Sequence, residues 1–247
     1  MQEIGGSAYA FLSWAATSSY NNAWLDSSYV ETVAITGGLD DIEVDRAGGS
    51  VDRGSSDLEL TYDGGEQAIA LLFRGVQVKH GATILSATIQ FHADEAQSED
   101  TDLVLQGLIC TDASPCMPFL PTSSHIDVTA SSFGDRPLTR AAVPWDDVPE
   151  WTVATHQTST DASAAQRTPD IRAVIQEIVN SAGWVSGKDL GIVITGTGHR
   201  TADSFDGHPE KATTLTLAVR EGGATFGVPD IYGVTGDYAH PNLLVNG

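Results

Sequence analysis

From Asp57 the chain alternates: Leu58, Leu60 and Tyr62 share one parity, Asp57, Glu59 and Thr61 the other, and an Asp63-Gly64-Gly65 turn follows at once. Period two puts alternate side chains on one face of a strand, so this is a half-buried strand ending in a turn. Ile69, Leu71 and Phe73 continue the pattern, and Gly75 marks a bulge before Val76 and Val78. After the turn at His80-Gly81, Leu85, Ala87, Ile89 and Phe91 are expected on one face, with Ser86, Thr88, Gln90 and His92 on the other. Leu190 to Ile194 is a short apolar run suited to a fully buried strand, and Leu215, Leu217 and Val219 alternate again. Shorter stretches near Val33, Ile42, Leu103 and Ala141 bring the total to about nine strands, the pattern of an all-β sandwich or jelly roll.

One segment changes period. Ile171, Val174, Ile175, Ile178 and Val179 fall on one helical stripe; Thr168 is the expected cap, Pro169 the first helical residue and Gly183 the stop. A single amphipathic helix cannot bury its stripe alone, so it is expected to cover an open edge or end of the sandwich.

Outside this patterned region lie two arms. Residues 1–32 carry Tyr9, Phe11, Trp14, Tyr20, Trp24 and Tyr29, too many aromatics for a solvated linker, so this arm is expected to pack on its own domain or on a neighbouring molecule. Residues 221–247 form a second arm rich in Gly, Pro and Asn, leaving 33–220 as the β-domain.

Charge and cysteines narrow the class. Twelve basic against 33 acidic residues give a net charge of −21, a field that repels phosphate backbones and anionic lipid, so nucleic acid is not an expected partner. No apolar run is long enough for a membrane span. Cys110 and Cys116 sit close together in the loop CTDASPC, which suits a local disulfide and an extracellular or cell-surface location better than a metal site. The first residues lack the basic start and unbroken apolar run of a secretory leader, as in a chain already processed.

Taken in order, Ser55-Ser56-Asp57-Leu58-Glu59-Leu60, Tyr62-Asp63-Gly64-Gly65, Leu72-Phe73-Arg74, Gly81-Ala82-Thr83-Ile84 and Ile89-Gln90-Phe91 form a series of short motifs. Trp145, Trp151, the Gln166-Arg167-Thr168-Pro169-Asp170 helix entry, Gly183-Trp184 and Ser204-Phe205-Asp206-Gly207 continue it. The series resembles jelly-roll modules of secreted bacterial proteins, of the DNRLRE and disaggregatase-related carbohydrate-binding type. That resemblance implies a non-catalytic module that holds polysaccharide or cell-surface glycan, or that serves adhesion. A structural subunit of an extracellular filament or surface assembly, polymerising as a homo-oligomer through the aromatic arm, is the alternative.

Three sets of residues carry candidate chemistry. Trp145 and Trp151 lie in VPWDDVPEW beside Asp146, Asp147 and Glu150; a flat exposed indole stacks on a sugar ring while carboxylates and Arg200 pair with hydroxyls. The other reading is that both indoles plug the core, and Trp184 is read as packing. Asp41, Glu43, Asp57, Glu59 and Asp206 supply the oxygens a structural calcium ion needs, although no segment fits an EF-hand loop and Asp57 and Glu59 also suit a solvated strand face. Catalytic signatures such as G-x-S-x-G and H-E-x-x-H are missing, so the chain is not expected to be an enzyme. His199-Arg200 and His208 bracket Asp203 and Asp206, a polar pocket on one reading and a charged surface loop on the other.

Overall fold

The computed structural model describes residues 27–109, 124–153 and 162–222. Among them the strands are β1 (Ser27–Ala34), β2 (Asp41–Asp45), β3 (Val51–Asp52), β4 (Asp57–Leu60), β5 (Gln67–Val76) and β6 (Thr83–Gln90). They continue as β7 (Asp102–Leu108), β8 (Ser132–Phe133), β9 (Arg136–Trp145), β10 (Lys188–Thr197), β11 (Arg200–Asp203) and β12 (Thr214–Glu221), with helix α1 at Arg172–Val179. The chain is therefore all-β and sandwich-like, as its period implies. One sheet runs β3-β2-β5-β10-β7-β9-β8, a second β1-β12-β6, and β4 pairs with β11 as a short ribbon; the ladders are antiparallel. No helix among the described residues is long and apolar enough to cross a membrane.

Burial explains the patterns. Ile69, Leu71 and Phe73 of β5 face Ile89, Leu215 and Leu217 of the smaller sheet within the main core. Ala68, Ala70 and Leu72 point the other way, into a second cluster with Ile42, Ile126, Phe133 and Val193. A strand covered on both faces cannot show a polar parity, hence the unbroken apolar runs of β5 and β10. Gly75 forms the expected bulge: Lys188 pairs with Val76 and Leu190 with Phe73, so two residues of β5 oppose one of β10. Its φ of +66° is left-handed, where a side chain is strained, and its N–H donates to Asp189 Oδ1 at 2.9 Å.

Three expectations need correction. A second bulge lies in β6, where Ala218 pairs with Ser86 but Val219 with Ile84; the extra residue, Leu85, turns outward and Ile84 enters the core in its place. The helix starts at Arg172 without a side-chain cap and ends at Val179, with Asn180 as its C-cap, short of Gly183. Thr168 does not cap it because its hydroxyl accepts from Ile89 N (2.9 Å), while Asp170 accepts from Ala87 N (2.9 Å) and Gln176 from Ile84 N (2.9 Å). These side chains satisfy the donors along the free edge of β6, so the helix and its entry cover the open sheet edge as expected. Gly107 on β7 lets α1 lie close, since a Cβ there would run into Ile178. Finally, residues 27–32 belong to the sheet and not to an arm: Tyr29 lies opposite Val219 and its hydroxyl donates to Glu221 at 3.2 Å. Burial, followed by the adjacent Glu221 carboxylate, pushes that phenol up to about 12. Tyr9, Phe11, Trp14, Tyr20, Trp24, Cys110 and Cys116 lie outside the described residues.

Candidate functional site

The segments 92–102, 145–151 and 199–208 meet in one region, tied by backbone pairing. Trp151 and Gln97 exchange N–H···O bonds at 2.9 and 3.0 Å, Val148 N donates to Thr101 O at 2.9 Å, and Asp94 N donates to Thr201 O at 2.9 Å. Trp145 and Trp151 point inward from this turn and are only 5 % and 0 % exposed. They pack on Phe91, with centroids 6.4 and 6.2 Å away, and Trp151 Nε1 donates to Ala165 O at 3.0 Å. A stacking platform needs an open ring face, so neither indole is a sugar platform; both fill the core, and Trp184 is buried too.

What the turn shows to solvent is polar. Asp147, Val148 and Glu150 face Ser98, Glu99, Asp100, Thr101 and Asp102 across a cavity of about 390 Å³, floored by Arg200. Asp146, also expected at the site, is exposed but is not part of its lining. Arg200 itself is buried, and its guanidinium donates to Val148 O (2.7 Å), Pro149 O (3.0 Å), His199 O (2.6 Å) and Thr101 Oγ1 (2.9 Å). Its nearest carboxylate oxygen, on Glu99, lies 3.9 Å away. Arg200 therefore clamps the loop carbonyls and holds the wall in shape, a role the fixed fork of guanidinium donors suits. Asp147 takes a left-handed φ of +50°, and its N–H donates to Asp102 Oδ1 at 2.8 Å. Five carboxylates around one rim make a strongly negative mouth.

The expected calcium ligands fall into two sets and not one: Glu43 meets Glu59 with Asp57 near it, and Asp41 has Asp206 near it. Asp41 and Glu43 sit on inward positions of β2, opposite Leu71 and Ile69. Glu43 accepts from Glu59 N at 2.7 Å, and burial together with the neighbouring Glu59 carboxyl pushes it up to about 9. Asp41 accepts from Phe205 N at 2.7 Å; burial raises it to about 6, and the negative charges of Asp206 and Asp40 add to the rise. Asp57 and Glu59 are half-buried and Asp206 is exposed. A different group does meet: one ligand atom each from Asp94, Asp203 and His208 lies within 4.8 Å of the others, the one such group among the described residues. Asp203 and His208 stood out in the sequence, as did Asp147 and Glu150 of the pocket; Asp94, Glu99, Asp100 and Asp102 did not. These four belong to one acidic run, Asp94 to Asp102, and that run was the available signal. No protein-family model and no curated protein matches this chain.

Proposed function

We propose that the chain is a non-catalytic extracellular module that holds polysaccharide or cell-surface glycan, and that the carboxylate-lined pocket beside Arg200 is where the sugar sits. The observation that supports this reading is the rigid polar wall: Arg200 fixes the carbonyls of 148–149, leaving Glu99, Asp147 and Glu150 to accept hydroxyl hydrogen bonds in a site already shaped. A negative mouth disfavours uronate and sulfated chains, so neutral and amino-sugar glycans are the expected class. A glycan array probed with the full chain, followed by calorimetry on Glu99→Gln/Glu150→Gln, tests it. Selective capture of neutral or amino-sugar glycans that weakens in the double variant supports the reading; capture of none overturns it.

A second reading, a subunit of an extracellular filament, draws on β1. It is the outer strand of its sheet, and Val30 is 68 % exposed there, as on an edge that accepts a strand from another copy. Light scattering on the full chain and on a version starting at Ser27 tests it. A deletion through residue 32 would remove most of β1 and destroy the edge it was meant to probe. Large assemblies that vanish in the version starting at Ser27 support this reading, and a monomer in both removes it.

A further inference from the structure

We infer that Asp94, Asp203 and His208 form a binding site for a divalent transition-metal cation of the zinc class, separate from the glycan pocket and independent of that reading. The three side chains each offer one ligand atom, all mutually within 4.8 Å, and His208 Nδ1 stands 2.6 Å from Asp203 Oδ1. Zinc bonds to nitrogen and carboxylate oxygen are about 2.0–2.2 Å, so ligands around one ion lie about 3–4 Å apart and only small side-chain movements are needed.

The backbone places these groups before any ion arrives. Ala93 and Ala202 form an antiparallel bridge, Asp94 N donates to Thr201 O (2.9 Å) and Asp203 N to His92 O (2.9 Å). The two carboxylates are thus fixed on neighbouring segments. His208 closes onto them through a turn in which its N–H donates to Ser204 O at 3.0 Å.

A second observation comes from Asp203 itself. Its side chain is wholly buried, and Oδ2 accepts no hydrogen bond. The Lys211 ammonium, 3.2 Å away, is the one charge set against that oxygen. A buried carboxylate with a second carboxylate beside it calls for more positive charge than one ammonium on a flexible stem and one half-exposed imidazole supply. Lys211 stands where a metal's charge belongs and can withdraw to solvent when a doubly charged ion enters. One imidazole nitrogen with two carboxylates is a donor set for zinc and its neighbours; calcium takes an all-oxygen shell.

The test uses the full chain without a histidine tag, stripped with chelator and titrated with zinc chloride by calorimetry, with thermal unfolding in parallel. One zinc per chain and a raised Tm are expected, persisting in excess calcium. His208→Ala, a change at a half-exposed side chain, should lose both effects. His125→Ala, at the exposed His125 and Asp127 pair (2.8 Å apart), should lose neither. Lys211→Met should bind zinc about tenfold tighter and show a larger zinc-induced rise in Tm, because a competing charge at short range is gone. A purely structural Asp203, His208 and Lys211 ion-pair cluster predicts no saturable heat and no shift in any variant. That result, or zinc binding that survives His208→Ala, overturns the inference.

Discussion

Two acidic regions of this molecule treat negative charge in opposite ways. Where β2 meets β4, Asp41 and Glu43 are taken inside the protein, and their proton affinities rise. Around the pocket, Glu99, Asp147 and Glu150 stay in water, while the buried Arg200 is committed to backbone carbonyls. The turn that carries the pocket wall is anchored from behind by Trp145 and Trp151, which pack on Phe91, while Asp41 and Glu43 share the core-facing side of β2 with Leu71 and Ile69 of the paired strand. Burial and local donors therefore set what a carboxylate does here, and acid-rich composition does not.

The sharpest way to break this contrast is to remove the indole that anchors the turn. Trp151→Ala deletes a fully buried indole, opens a cavity against Phe91 and Trp145 and orphans Ala165 O, so we expect about 3–5 kcal/mol of lost stability in urea unfolding. Loss below about 1 kcal/mol would mean that the turn is not anchored through its indole. Next comes the clamp. Arg200→Lys keeps the charge but cannot reach Val148 O, Pro149 O and His199 O together, and should cost about 2–3 kcal/mol while loosening the 148–150 wall. Faster amide hydrogen exchange at Val148, which donates to Thr101 O, reports the loosening directly.

Much of the frame was legible because it depends on local period. β5, β10, β12 and the stripe of α1 follow from apolar spacing, and Gly75 announced its bulge. Leu85 misled because a bulge shifts parity partway along β6, and nothing local distinguishes Ile84 from Leu85. Thr168 looked like a cap, yet its hydroxyl serves Ile89 N, a partner chosen by tertiary packing. The candidate site was harder to read for the same reason. Whether Trp145 and Trp151 face sugar or core depends on what the 145–151 turn folds over. Asp94 joins Asp203 and His208 only through the pairing of Ala93 with Ala202, which no spacing along the chain encodes.

The β2 carboxylates yield a smaller effect with a defined sign. Glu43 titrates near 4.5 when unfolded and near 9 when folded. Its protonated form is the one the fold favours, so the full benefit is present below about pH 4.5 and is lost as pH rises toward 9. Glu43→Gln keeps an acceptor for Glu59 N and removes the titration. Stability of the parent chain should fall between pH 5 and pH 9 by roughly 1–3 kcal/mol more than that of the variant. Slope that remains below pH 6 belongs to Asp41, which rises from 3.8 to about 6 on folding, together with Asp94, which burial also raises. Parallel slopes in the two proteins would show that Glu43 is solvated and that the two acidic regions do not differ.

The smallest change tests the other half of the contrast. Glu99 and Glu150 are exposed, so Glu99→Gln/Glu150→Gln should alter stability by less than about 0.5 kcal/mol at any pH. On the proposed glycan reading their role is outward: an amide keeps one acceptor where a carboxylate has two, so a glycan held by paired hydroxyls should lose about tenfold in affinity. Unchanged folding with weakened binding would locate function in the solvated acids. If the pair instead costs stability at neutral pH, the pocket rim is structural, and the division between an inward and an outward acidic region fails at the outward one.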